Sequence, residues 1–173
     1  MRIVTLVSAL LSLPTWADLS LTEAQLKLHG IDGYNVVVED LAPDAAQCGI
    51  TVQQLKTETE QALRKNGIPV INTAPDNLYV RLSILSDVQI RGCYYSLEIQ
   101  VQGAVLRVLG HLVNVPITAT LWQRGVIAGT SYKNASRQVR ELLTQLLDLL
   151  CKDHLAANPS FAQSKAASRK DSK

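Results

Sequence analysis

Cysteine and histidine are the side chains best suited to chemistry in this chain, and both are scarce: Cys48, Cys93 and Cys151, and His29, His111 and His154. If the chain meets an oxidising compartment, as its N-terminus suggests below, three cysteines leave one unpaired. Cys48 precedes a helical pattern and Cys93 opens a strand that can pass beneath it, so the expected bridge is Cys48–Cys93. It would close a loop of about 45 residues and contribute roughly 4 kcal/mol by chain entropy. Cys151, near the end of a helical pattern, reads as a small buried hydrophobe. There is no C-x-x-C, and no histidine lies three to five residues from another, so no metal site is expected. The histidines fall in no triad-like or zincin motif, and His154 suits a helix C-terminus, where the dipole favours a cation.

Other candidates for chemistry also read as structure. Glu39 and Asp40 are adjacent at a strand end and point to opposite faces, so they cannot readily share acid–base work. The run Gly125-Val126-Ile127-Ala128-Gly129-Thr130-Ser131 follows a strand and precedes a helix as a phosphate loop does. It lacks the completing lysine, so it reads as a flexible loop. Ser131 and Ser136 lack the G-x-S-x-G setting of a nucleophile, and Asn134-Ala135-Ser136 is a glycosylation sequon by pattern only. Tyr79, Tyr94, Tyr95, Trp122 and Tyr132 could form a stacking platform, and strands near one another could gather Arg81, Arg91 and Arg107 into a local anion-binding patch. Half-buried sheet aromatics are the plainer reading. No catalytic residue and no cofactor are expected, and the chain is read as a non-enzyme.

The N-terminus supplies the setting. Met1-Arg2, the apolar run Ile3–Leu13 and Pro14-Thr15-Trp16-Ala17 have the order of a secretory signal peptide cleaved after Ala17. The run is too short to span a bilayer, so a periplasmic or secreted protein with no transmembrane segment is expected after cleavage. Of 173 residues, 17 are basic and 15 acidic. Residues 18–155 carry a net charge of −2 and residues 156–173 carry +3. A mildly acidic body argues against nucleic acid as a partner. The expected organisation is a signal peptide (1–17), one domain (18–155) and a disordered basic tail (156–173).

Within the domain, Ser20-Leu21-Thr22-Glu23 predicts a capping box and a short helix ended by Gly30. Val36-Val37-Val38 centres a strand over 34–40. A helix follows from the Thr51 box to Asn66, closed by Gly67, with Val52, Leu55, Thr59, Ala62 and Leu63 facing a sheet. Ile68–Ile71 predicts a short edge strand. Leu78, Val80, Leu82 and Ile84, then Cys93, Tyr95, Leu97, Ile99 and Val101, alternate with polar residues as half-buried strands do. Residues 104–109 prolong the second strand, and Ile117–Trp122 form a third, ended by Arg124-Gly125. A last helix over 135–154, capped by Asn134 or Ser136, carries the stripe Val139, Leu142, Leu143, Leu146, Leu147 and Leu150. The fold class is α+β, a two-layer sandwich: an antiparallel-dominated sheet with two main helices packed on one face.

The order V-V-V-E-D-L at 36–41, Cys48-Gly49, Asn66-Gly67-Ile68-Pro69-Val70, Leu78-Tyr79-Val80, Gly92-Cys93-Tyr94 and Thr120-Leu121-Trp122 resembles small exported bacterial proteins of unassigned function. The likeness covers most of residues 34–154. In element order the chain also resembles βαββ envelope modules such as the amino-terminal domain of the Tol-Pal propeller protein, which carries over no functional residue. The expected function is an exported, non-enzymatic module binding another protein or envelope component. The expected docking surface is an exposed sheet edge around Val70, Ile71 and Asn72. The alternative is a small-ligand carrier with a pocket between helices and sheet.

Overall fold

The computed structural model describes residues 21–109 and 112–161. The expected signal peptide, Ser20, His111 and residues 162–173 of the expected tail lie outside them. Helix α1 (Glu23–Leu26) starts from a capping box, set two residues later than the sequence pattern suggested. The Thr22 hydroxyl accepts from the Gln25 N–H while the Gln25 side-chain carbonyl accepts from the Thr22 N–H. Strand β1 (Asn35–Val38) is the valine run. A single turn of helix, α2 (Asp44–Gln47), follows where a plain break is expected. The Asp44 carboxylate pins it by accepting from the Ser86 N–H at 2.7 Å and the Ser86 hydroxyl at 3.0 Å. The disulfide Cys48–Cys93 ties its C-terminus to the sheet.

Helix α3 (Val52–Lys65) begins at Thr51, whose hydroxyl accepts from the Gln54 N–H. It ends before Gly67, whose φ of 76° takes the left-handed conformation that closes a helix. Strands β2 (Asn77–Asp87), β3 (Gly92–Leu109) and β4 (Leu112–Ser131) run in succession. Helix α4 (Tyr132–Ala157) completes the domain. The sheet order is β1-β2-β3-β4, with β1 parallel to β2 and the other pairs antiparallel. Helix α3 packs beside α4 and against β1, and α4 packs on β3 and β4. The result is the expected α+β sandwich with both long helices on one face. Leu78, Val80, Leu82 and Ile84 of β2 and the odd-numbered residues 93–101 of β3 meet Leu55, Leu63, Val139, Leu143, Leu147 and Leu150 in one core. Each buried aliphatic side chain there contributes about 1.5 to 3 kcal/mol.

Three expectations are corrected. Residues 70–72 form no edge strand: Val70 makes one parallel bridge with Tyr34, and a turn follows at Asn72. Pro69 has no N–H to donate, so the pairing there rests on two bonds, Tyr34 N–H to Pro69 O and Ile71 N–H to Tyr34 O. Residues 125–131 are not a loop but the last third of β4. Gly129 is tolerated in this strand because the Tyr94 ring lies directly over it. An added Cβ there would stand 2.8 Å from that ring. Finally, α4 begins at Tyr132 rather than 135 and runs to Ala157, and order continues to Phe161.

The first residues of the expected tail are therefore part of the domain. The Asn158 side chain accepts from the Gly30 N–H and donates to the carbonyls of Leu28 and His154. His29 Nδ1 meets the Ala157 carbonyl at 2.8 Å. Asn158→Ala removes all three side-chain bonds and leaves the Leu28 carbonyl buried without this donor. Urea titration should show a loss of about 2 to 4 kcal/mol. Opening Cys48–Cys93 by a double serine substitution should cost roughly 4 kcal/mol, lowering the thermal midpoint by about 8 to 16 °C in calorimetry.

Candidate functional site

The alternation of peptide groups across the sheet identifies which backbone atoms are left over. The Asn35 N–H donates to Asp76 O and the Glu39 N–H to Val80 O. Even residues of β2 therefore turn their peptide groups to β1 and odd residues turn theirs to β3. Through the observed registers, odd residues 93–101 of β3 bond even residues 122–130 of β4. The bond from the Tyr132 N–H to Arg91 O continues the same phase. Gln123, Gly125, Ile127, Gly129 and Ser131 consequently direct N–H and C=O away from β3. No strand lies beyond β4 among the described residues.

The side chains of this segment alternate as well. Trp122, Val126 and Ala128 face the helices opposite Val101, Leu97 and Tyr95, while Ile127 pairs with Ser96 on the uncovered face. Ile127 is 84% exposed. Beside it lie Tyr94 (53% exposed) and, paired with Tyr94 on β2, Leu85 (70%). The β2–β3 turn adds Val88 and Ile90, also exposed. A shallow cleft of about 280 Å³ runs between Ile90, Gly92, Tyr94, Gly129, Thr130 and Ser131. Exposed apolar side chains thus gather around open backbone groups at one corner of the sheet, an arrangement that marks interaction surfaces.

The β3–β4 ribbon beyond Gln102 is built differently. A register shift between Val101 and Gln102 leaves Leu121 as an extra residue in β4. Past it, the alternation bonds Gly103 with Ala119 and Val105 with Ile117, and places Leu106 opposite Pro116 at a non-bonded position. The proline nitrogen, which has no hydrogen, therefore lies on the open edge. Strand addition is obstructed there by the proline, and no proline interrupts the edge between Gln123 and Ser131.

The remaining sequence candidates are accounted for by structure. Arg81 holds both oxygens of Glu39, at 2.7 and 2.9 Å, and approaches Glu98 at 3.7 Å. Hydrogen bonding from this guanidinium lowers the Glu39 carboxyl below its ordinary range. Arg91 sits in the β2–β3 turn, ten residues along from Arg81, and the Arg107 side chain lies outside the described residues. The aromatics divide, Tyr79 and Tyr94 outward, Tyr95 and Trp122 inward, and Tyr132 off the sheet at the start of α4, and so share no platform. Trp122 donates its indole N–H to Asp153. The cleft of about 370 Å³ between α3 and α4 is crossed by the ion pair Arg140–Glu58. Between helices and sheet, where a carrier would keep its ligand, Leu55, Leu63, Leu97, Ile99, Leu143 and Leu150 are fully buried.

His154 departs from its expected role as a charged helix-end residue. It is fully buried, with Nδ1 2.9 Å from the Tyr34 hydroxyl and its ring against Tyr34 and Phe161. Among the described residues Nε2 has no hydrogen-bond partner. Desolvation favours the neutral ring and pushes its pKa down to about 4. The sign follows: above the unfolded value near 6.5 neither state binds this proton, and below it the unfolded chain binds it first. Stability should therefore fall as pH drops from about 6.5 to 4, by roughly 3 kcal/mol. Denaturation at pH 7, 5.5 and 4 should show that slope in the wild type and its loss in His154→Gln. In comparison with known proteins, the chain matches no family model and no curated protein.

Proposed function

We propose that this chain is an exported, non-enzymatic interaction module that binds another polypeptide of the periplasm or extracellular space by taking an extended segment onto β4. The observation that carries the reading is the run of outward-directed backbone groups from Gln123 to Ser131 beside exposed Ile127, Tyr94 and Leu85. Strand addition uses both parts: main-chain bonds supply affinity and alternate side chains supply selectivity. The Cys48–Cys93 disulfide fits an oxidising compartment. No described helix is long and apolar enough to cross a membrane. The only charged side chain between Gln123 and Ser131 is Arg124, so the incoming segment is expected to be uncharged and apolar on the side facing Ile127.

The phase of the ladder provides a test. The Ile127 N–H points outward, so Ile127→Pro removes a donor from the docking edge and none from the β3–β4 ladder. Val126→Pro removes a ladder bond instead. Cross-linking in intact cells followed by purification, sizing of the cross-linked product and mass spectrometry should recover a reproducible conjugate, with another protein or with a second copy, from the wild type and lose it with Ile127→Pro. The Ile127→Pro protein should still melt within a few degrees of the wild type, whereas Val126→Pro should be markedly destabilised. Capture indifferent to Ile127→Pro would remove β4 as the docking edge.

A further inference from the structure

We infer that the chain received by β4 is β4 of a second copy, giving a two-fold dimer with one continuous eight-stranded sheet. This rests on the reading of β4 as a strand-accepting edge and names its occupant. The first observation is that the open segment is nearly symmetric about Ile127: Gly125-Val126-Ile127-Ala128-Gly129. An antiparallel partner centred there sets Ile127 against Ile127 of the second copy, Gly125 against Gly129, and Gln123 against Ser131. These are all residues whose peptide groups point outward, so each of these pairs is a bonded one, and the even-numbered pairs between them are non-bonded. The glycine of the neighbouring copy leaves room for the Tyr94 ring that overlies Gly129. Arg124, the segment's single charge, falls opposite Thr130 of the second copy, so no like charges meet.

The second observation comes from the helix layer. Helix α4 turns back along β4, and the Trp122–Asp153 hydrogen bond fixes the level of one against the other. Counting from there, eleven helical residues at about 1.5 Å and five strand residues at about 3.3 Å cover the same ~16 Å. Leu142 therefore stands level with Ile127. One flank of α4 is occupied by α3, through Arg140–Glu58 and the cleft lined by Arg137 and Thr144. The opposite flank meets α1 at its far end, through the Gln25–Asp153 hydrogen bond, and N-terminal to that contact carries Gln138, Leu142, Gln145 and Leu149 at helical spacing, none of them charged. Leu149 is 48% exposed. Because α4 packs on both β3 and β4, a helix axis between those strands stands about 5 Å from a two-fold axis half a strand spacing beyond β4. That sets the two α4 axes about 10 Å apart, the ordinary distance of packed helices. The sheet edge and the helix flank thus call for the same axis, through Ile127 in one layer and Leu142 in the other. A short segment of an unrelated partner would occupy the strand position and leave this flank uncovered.

The test uses the full, oxidised, mature chain in sedimentation equilibrium. The wild type should be a dimer at about 10 to 100 μM, and Ile127→Pro should weaken association at least 100-fold with thermal melting preserved. Ile127→Lys and Leu142→Glu serve as further variants that leave the β3–β4 ladder intact. At a bonded antiparallel pair the α-carbons are about 5.5 Å apart, within disulfide reach. Ile127→Cys should therefore form a spontaneous cross-linked dimer on a non-reducing gel, and Gln123→Cys should not. A dimer insensitive to all three interface variants overturns the assignment, as does a wild-type monomer at about 100 μM. In the monomer case, partner capture still lost with Ile127→Pro leaves β4 as a docking edge for a different chain, and capture indifferent to it removes both readings.

Discussion

The constraint on which the structure depends is the alternation of β3, because β2 and β4 both take their phase from it. Cys93, Tyr95, Leu97, Ile99 and Val101 are at most 2% exposed and face the helices. Once they are committed to the core, the bonded and non-bonded pairs on either side follow without further choice. A slip of one residue would expose five core side chains and bury Tyr94, Ser96, Glu98, Gln100 and Gln102 in their place. The disulfide adds to this by holding Cys93, where β3 begins, against the turn that introduces α3. Burial on one face thus determines which peptide groups are spent inside the sheet and which are left at its edge.

A second closure joins the two ends of the domain. Asp153 accepts from Trp122 on β4 and from Gln25 on α1, and Asn158 spans the loop after α1 and the end of α4. His154 lies between these anchors with Tyr34 and Phe161 around its ring. A histidine held this way lends shape and one hydrogen bond to the core at neutral pH. Protonation there would place a charge beside an unpartnered nitrogen, which is why the fold opposes it.

Features repeated within a few residues were legible in the sequence. The period-two runs of β2 and β3, the apolar stripes of α3 and α4 and the pairing of Cys48 with Cys93 all follow from local pattern and position. What escaped depends on residues far apart in the chain. Gly125 and Gly129 look like loop residues until Tyr94, on the neighbouring strand, is seen to cover one of them. Asn158 looks like tail until Leu28, 130 residues earlier, is found at its side-chain nitrogen. His154 appears to be a helix-end cation until Tyr34 and Phe161 enclose it. Ile71 and its neighbours read as an edge because proline is tolerated at edges, yet the turn at Asn72 limits them to a single bridge. That Gly125–Ser131 form an open edge emerges only from the register across four strands, because nothing local tells which peptide groups point outward.

Sheet edges are hazards that proteins commonly blunt with proline, bulges, charge or covering elements. Strand β4 uses these devices unevenly. Pro116 interrupts the open side of the ribbon, Leu121 is an extra residue at the register shift, and α1 stands next to residues 120–124 across a cleft. From Gly125 to Ser131 there is none of them: no proline, no charged side chain and no bulge in the register with β3. A strand protected along one half and bare along the other has a boundary, and that boundary falls where the exposed patch of Ile127, Tyr94 and Leu85 begins. General tolerance of a free edge would not confine these devices to the half away from Ile127, Tyr94 and Leu85. The distribution is what a strand needs if it must pair along one segment and be kept from pairing along the rest.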